Sequence, residues 1–273
     1  MTLRINQNIA AMNTHRVLQG TAKGQAASLE KLSSGLRINR ASDDAAGLSI
    51  SEKLRSQVRG LAQAERNAQD AISMINVAEG AADEVHSILQ RMRELAVQGS
   101  NDTLVTEDRA AISAEYTQLR SEIDDIATKT RFNTQELLSD TTTTKTYQVG
   151  FNTTDTFAVS FTSLRSNAGL TLGTAALSTQ GEFNTAIASV DTAIAAVSTL
   201  RTNLGASVNR LESRIKSLAV GRENIAAADN RIRDTDMAAE MTEVSRRQIL
   251  FQSGTSMLSQ ANSNPQNVMS LFR

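Results

Sequence analysis

A chain of 273 residues with formal net charge −1, no Cys, no Trp and a single Pro has room for one or two domains. The missing cysteines exclude disulfides, thiolate metal sites and thiol nucleophiles, and the near-zero charge gives the whole chain no bias toward nucleic acid or membrane. Aromatics make up 3% of the residues, less than a compact mixed core uses, so helix-on-helix packing of small aliphatic side chains is the expectation.

Residues 1–42 carry six Lys or Arg against Glu30 alone, residues 231–273 sit at +1, and the middle of the chain balances them at −7. The first segment predicts an amphipathic helix with Leu3, Ile5, Ile9, Met12, Leu18, Ala22, Ala26, Leu29 and Leu32 on its apolar face, weakened by Gly20, Gly24 and Gly35. A basic amphipathic N-terminus also suits a transit peptide or a membrane-surface helix. The C-terminus carries a matching apolar face, however, and one explanation has to cover both. The start lacks the continuous apolar core of a cleaved secretory signal, and no apolar run approaches the roughly 20 residues that span a bilayer.

Ser42, Asp43 and Asp44 read as a helix start, a hydroxyl cap with two carboxylates near the positive end of the dipole. Beyond them Leu61, Ala64, Ala68, Ala71, Ile75, Ala78, Ala82, Val85, Leu89, Met92 and Ala96 fall at alternating steps of three and four. That spacing fits one face of an α-helix and cannot fit a strand. A helix from Asp43 to Gly99 would extend roughly 85 Å, and such a rod needs partners. Its alanines let a neighbour come close. Gly99 to Asp102 predicts a turn, and Thr106 with Glu107 and Asp108 a new helix, striped by Ile112, Tyr116, Leu119, Ile123 and Ile126. A connection this short predicts antiparallel neighbours.

From Arg131 to Gly181 the character changes. Tyr147, Val149 and Phe151, then Phe157, Val159 and Phe161, alternate with polar residues across a turn at Asn152–Asp155, predicting a β-hairpin over about 146–161. The tract Thr141–Thr144 reads as loop or strand edge. Thr179 and Glu182 have capping-box spacing. A second long helix follows, with Phe183, Val190, Val197, Leu204, Leu211, Leu218, Ile225 and Ile232 every seven residues and Ile187, Ile194, Val208 and Ile215 at most alternate positions. Such a seam packs by knobs into holes, and the first long helix is its natural partner. The last segment places Met237, Met241, Val244 and Phe251 on one face, then Leu250, Met257, Leu258 and Ala261; Pro265 kinks or restarts the helix before Leu271 and Phe272.

Catalytic chemistry has little to stand on. His15 and His86 each lie in a predicted helix with no second ligand type nearby, and the pairs Asp43–Asp44 and Asp124–Asp125 read as a helix start and a polar helix face. Phosphate-binding, zinc-protease and serine-hydrolase motifs are absent from the sequence. Asn101 and Asn152 head glycosylation-type triplets that arise often by chance. Lys and Arg are dispersed among acids without interleaved aromatics, which argues against a nucleic-acid surface. The reading is of a mainly α, non-enzymatic protein without cofactor, catalytic residue, metal site or membrane insertion.

Three strings then meet a known family. Ile5-Asn6-Gln7-Asn8-Ile9-Ala10-Ala11, the run from Leu32 through Asn39 to Leu48, and Leu89 to Gln98 resemble bacterial flagellin. The closing Asn264-Pro265-Gln266-Asn267-Val268 through Arg273 is similar to flagellin C-termini of the Bacillus-like type. The resemblance implies a long antiparallel helical hairpin or coiled-coil bundle with a small β-hairpin region. Residues 1–42 and 231–273 would form an inner coiled-coil domain, and 43–230 a surrounding helical domain. The roughly 50 residues between Arg131 and Gly181 leave no room for the large outer domains of many flagellins.

The function so implied is that of a subunit polymerising into the helical flagellar filament used for motility. It would be extracellular, exported through the flagellar secretion channel without a cleaved signal. The stripes suggest how. Leu61, Ala68, Ile75, Ala82, Leu89 and Ala96 would pack against Val190, Val197, Leu204, Leu211, Leu218 and Ile225. The end segments alone bury too little apolar surface to offset ordering entropy, so Ile5, Ile9, Met12, Leu29, Leu32, Met237, Met241, Val244, Phe251, Leu258, Leu271 and Phe272 are expected to order on assembly. Implied partners are further copies of the chain, an export chaperone on the C-terminal segment, and flagellar cap and junction proteins. A host Toll-like innate immune receptor is also implied, at Gln90, Arg91, Leu95 and Glu115. The alternatives are a hook–filament junction protein, which shares the terminal signatures, and a secreted helical membrane-binding effector.

Overall fold

Asp44, two residues after Ser42, opens the first long helix by accepting the Gly47 N–H on Oδ1 at 2.8 Å. Asp43 turns the other way: its carboxylate accepts the amide hydrogens of Asn39 and Arg40 at 3.1 and 2.9 Å, and those bonds hold its pKa below the usual carboxylate value. The expected hydroxyl cap is thus a carboxylate cap, with the second acid bracing the loop before it. The structure, a computed structural model, describes residues 7–139, 142–173 and 177–270 (Thr142 and 265–270 by backbone alone). Ile5, Leu271 and Phe272 lie outside the described residues.

In chain order the elements are α1 (Ile9–Ser34), α2 (Ala45–Gly99), α3 (Thr106–Lys129), β1 (Arg131–Phe132), β2 (Gln135–Glu136), β3 (Thr142–Gln148), β4 (Thr156–Thr162), α4 (Gln180–Arg233) and α5 (Met237–Ser270). The fold is mainly α, with small antiparallel sheets in the middle of the chain. Two compact units are present, a terminal one (Met1–Ser56 with Asn224–Arg273) and a central one (Gln57–Glu223).

In the terminal unit, Asn8 caps α1 by accepting the Ala11 N–H at 3.0 Å, and Gly35 closes it in the left-handed conformation at φ 72°, which glycine adopts without steric cost. Gly20 and Gly24 do not interrupt the helix. Asp236 caps α5 through the amides of Ala238 and Ala239, and α5 continues past Pro265 to Ser270 instead of restarting there. The two helices run antiparallel: Asn8 donates to the Ala261 carbonyl at 2.8 Å, Leu18 lies against Gly254, and Leu36 bridges to Asp234. Arg37 N–H to the Arg233 carbonyl (2.6 Å) and Thr235 N–H to the Gly35 carbonyl (2.9 Å) close that end of the pair.

In the central unit, ion pairs record the antiparallel register of α2 and α4: Arg93–Asp191 at 2.7 Å, Arg201–Asp83 at 2.8 Å and Arg222–Glu65 at 3.0 Å. The chain reverses after Gly99, so that Arg91 meets Glu115 of α3 at 2.9 Å and Arg109 donates to the Gly99 carbonyl at 3.2 Å. All eleven stripe residues of α2 are buried, Leu61 the least so at 6% exposure. On α4 Phe183, Val190, Val197, Leu204, Leu211 and Leu218 are buried, but the alternate positions belong to Ala186, Ala193 and Leu200. Ile187, Ile194, Val208 and Ile215 pack only at the margin. Ile225 and Ile232 are half-buried and fall in the terminal unit. A strict seven-residue repeat drifts about 20° per heptad on an unsupercoiled helix, which rotates a long seam out of its core.

The hairpin is longer than expected. β3 starts at Thr142, pairing Thr143 with Phe161 and Tyr147 with Phe157, so of the two readings, loop or strand edge, the β-branched residues Thr142–Thr144 take the strand. Tyr147 donates its hydroxyl to the Met74 sulfur at 2.8 Å and the Gln148 carbonyl accepts from Asn67 at 3.0 Å, docking the sheet on α2. Val149, Val159 and Phe161 are buried, whereas Phe151 lies in the turn and is exposed. A second hairpin, β1–β2, turns through Asn133 and Thr134 at φ 47° and 66°. Asp124 is a structural residue, since its carboxylate accepts the Ser166 N–H and O–H at 2.8 and 2.7 Å and pins the 163–172 loop to α3.

Candidate assembly faces

The α1–α5 pair leaves much of its large apolar surface uncovered. The side of α1 facing its partner carries Asn8, Leu18, Gly24 and Ser28, and Ser28 is the one fully buried residue of the helix. Many of the large apolar side chains stay in solvent. Ile9, Met12, Val17 and Leu29 of α1 are exposed, as are Met237, Met241, Ile249, Leu250, Phe251 and Met257 of α5, with Met12 at 68% and Ile249 at 63%. Leu32, Val244 and Leu258, expected on the same outer faces, are half-buried within the terminal unit. Exposed apolar side chains concentrated in this way mark an interaction surface. Periodicity alone does not single out Val17 and Ile249. The adjacent apolar runs Val17-Leu18 and Ile249-Leu250-Phe251 are the signal, since neighbours in a helix point about 100° apart and cover more than one face.

α1 and α5 are helical over residues 9–34 and 237–270 and contact each other at Asn8–Ala261 and Leu18–Gly254. Small, polar and a few half-buried aliphatic side chains, Leu18, Leu32, Val244 and Leu258 among them, lie within the terminal unit. What stays unsatisfied is the outer surface. Within α5, Glu243 accepts from Arg246 and Arg247, and these bonds bring its pKa down to about 2. These three charged groups are therefore satisfied within the helix.

On the central unit, Arg91 donates through Nε and Nη2 to Glu115 at 3.1 and 2.9 Å, and through Nη1 to Glu94 at 3.1 Å. These bonds raise the pKa of Arg91 above its usual value. Gln90 contacts the His86 ring at 3.0 Å. Gln90, Arg91 and Glu115 are exposed, and Arg91 and Glu115 are joined across α2 and α3. Leu95 does not join them: at 1% exposure it is core, because its step from Leu89 and Met92 keeps it on the buried side of α2.

A groove of about 600 Å³ between β4 and α4 is lined by Thr156, Phe157, Arg210 and Arg214, with the Arg210 guanidinium 4.7 Å above the Phe157 ring. No three His, Asp or Glu side chains converge to hold a metal among the described residues. α4 is the one helix there long and apolar enough by composition to cross a membrane, yet its Phe183-to-Leu211 stripe is committed to the core.

The geometry is that of a scaffold with association surfaces, and sequence comparison decides its kinship. Residues 5–143 match the bacterial flagellin N-terminal helical region and residues 187–272 the bacterial flagellin C-terminal helical region. The chain belongs to the bacterial flagellin family. Flagellin is a family of structural proteins, not of enzymes. A flagellin of Halalkalibacterium halodurans is 52% identical over 98% of this chain and 99% of its own. The Bacillus subtilis flagellin is 43% identical over 99% and 100%. Among solved structures, Bacillus cereus flagellin is 32% identical with a TM-score of 0.51, covering 60% of this chain and 94% of its own.

Proposed function

We propose that this flagellin-family chain is the structural subunit of a helical flagellar filament, an extracellular polymer that serves motility. The observation that carries the reading is the outward display of Ile9, Met12, Leu29, Met237, Met241, Ile249 and Phe251 by helices already paired with each other. Neighbouring copies cover those faces, and the apolar area removed from water drives growth. Identical subunits joined through a heterologous contact that does not close into a ring build a helix. In this reading residues 1–42 and 231–273 form the inner coiled-coil part of the polymer, and the helices of 43–230 supply rigidity. The flagellin relatives align over almost their whole lengths, which favours a filament subunit over a hook–filament junction protein or a membrane-binding effector.

Before assembly the same faces need cover. An export chaperone on α5 would supply it while the chain waits for the flagellar secretion channel, which it enters without loss of a cleaved signal. Cap and junction proteins would meet the ends of the polymer. Recognition by a host Toll-like receptor is part of the proposal and is assigned to the exposed Gln90, Arg91 and Glu115. The test is purified protein at raised concentration, with and without sheared filament seeds, viewed by electron microscopy. Seeded helical filaments are expected; a chain that stays monomeric over the whole concentration range refutes the reading.

A further inference from the structure

Among the described side chains, the methionines divide sharply between the two units. Met74 and Met92, in the central unit, are buried, and the Met74 sulfur is occupied as acceptor of the Tyr147 hydroxyl at 2.8 Å. Met12, Met237, Met241 and Met257, in the terminal unit, are 68%, 47%, 56% and 64% exposed. Each of these four is an exposed residue of α1 or α5. A thioether suits that surface because it is apolar, flexible and polarisable, and it conforms to whatever packs on it. It is also the one apolar side-chain group there open to chemical change.

We propose that Met12, Met237, Met241 and Met257 form an oxidative modification site whose conversion to sulfoxide blocks self-association of the chain. The inference rests on the self-assembly reading above and names a way of regulating it. The oxidant is a two-electron oxygen donor such as hydrogen peroxide. A sulfur lone pair attacks one peroxide oxygen, the O–O bond breaks, and the sulfur–oxygen bond forms. The sulfur loses two electrons, and the departing hydroxide takes the proton left on the transferred oxygen to leave as water. The new oxygen is a strong hydrogen-bond acceptor that water satisfies in the free chain. Packing a neighbour on it strips that water and supplies no donor, which is the cost of burying an unpaired polar group. Assembly in turn covers the sulfurs. The free chain is therefore the vulnerable form and the polymer the protected one.

The test treats the purified full-length monomer with hydrogen peroxide, maps sulfoxides by peptide mass spectrometry, and follows seeded polymerisation by light scattering. The four exposed methionines are expected to oxidise well ahead of Met74 and Met92. The concentration needed for growth should rise about tenfold or more. Stereospecific methionine sulfoxide reductases should restore it, and preformed filaments should resist the same dose. The fourfold Met→Leu variant, which retains Met1 and Met269, should polymerise before and after peroxide alike. An unchanged growth threshold in the treated wild type overturns the proposal, as does equal loss in the fourfold variant. If the leucine variant does not polymerise at all, failure of the reductases to rescue the oxidised wild type is the overturning result. An untreated wild type that never polymerises refutes the self-assembly reading itself, and the proposal falls with it.

Discussion

Glu182 holds the start of α4 with one carboxylate oxygen, which accepts the Ser178 and Thr179 amides at 2.6 and 2.8 Å and the Ser178 hydroxyl at 3.0 Å. The amide bonds are the main reason its pKa falls from 4.5 to about 2. A carboxyl whose folded pKa lies below its unfolded one contributes stability that is fully present above the unfolded value and is lost as pH falls through the folded value. The Glu182→Gln variant should therefore melt lower than wild type at neutral pH, and the gap should close between about pH 4.5 and pH 2. Circular-dichroism melts at stepped pH measure this; a gap that does not vary with pH would mean lost packing. Gly99 makes a different local demand. A Cβ there would run into the ring of Phe183, which is fully buried, so Gly99→Ala is expected to cost about 1–3 kcal/mol by overpacking. That the chain turns at Gly99 is legible in the sequence. That a phenylalanine 84 positions later needs the missing side chain is not, because close approach is a property of two elements and leaves no local mark.

At the scale of elements, the stripe of α2 is legible because an apolar period of three and four has one geometric solution. On α4 the same period favours Ile187 and Ile194 over Ala186 and Ala193 when side chains are ranked by hydrophobicity, whereas the core takes what the rotation of the helix presents. The start of β3 stays open in the sequence for a related reason: Thr142–Thr144 are polar enough for loop and β-branched enough for strand edge, and pairing with Ser160, Phe161 and Thr162 decides for strand. Leu95 falls into a receptor patch by resemblance alone, against the burial its own spacing implies. The distinction between stripe and patch is measurable. Leu89→Ala empties a fully buried site and should cost about 2–5 kcal/mol in denaturant melts. Arg91→Ala breaks the exposed Arg91–Glu115 pair and should cost below about 1 kcal/mol. If Arg91 serves recognition, Arg91→Ala and Glu115→Ala should each abolish receptor signalling in a reporter-cell assay while leaving the melt nearly unchanged. Equal signalling by variant and wild type removes the receptor role from this pair.

For the whole molecule the separation of labour between the two units is the testable matter. Among the described side chains, the buried core from Ala68 to Leu211 draws none from 234–264. Deleting 234–273 should thus leave a cooperative thermal transition and the helical signal of the central unit. It should abolish seeded polymerisation, because α1 loses its partner and the outer face of α5 is gone. A deletion removes much at once, so a single charge gives the sharper test. Ile249 is exposed in the free chain, and surface substitutions away from special features change stability by only about 0.5 kcal/mol. Ile249→Asp should therefore fold and melt like wild type. In a polymer the same carboxylate would be trapped beneath a neighbour with no counter-ion, a cost of several kcal/mol for an unpaired buried charge, repeated at every subunit. Growth from seeds should stop, and a low dose of the variant should poison elongation of wild-type filaments if it still docks at the tip. Filaments of Ile249→Asp growing at the wild-type threshold would show that the outer face of α5 remains in water after assembly, and that the subunits are held together elsewhere.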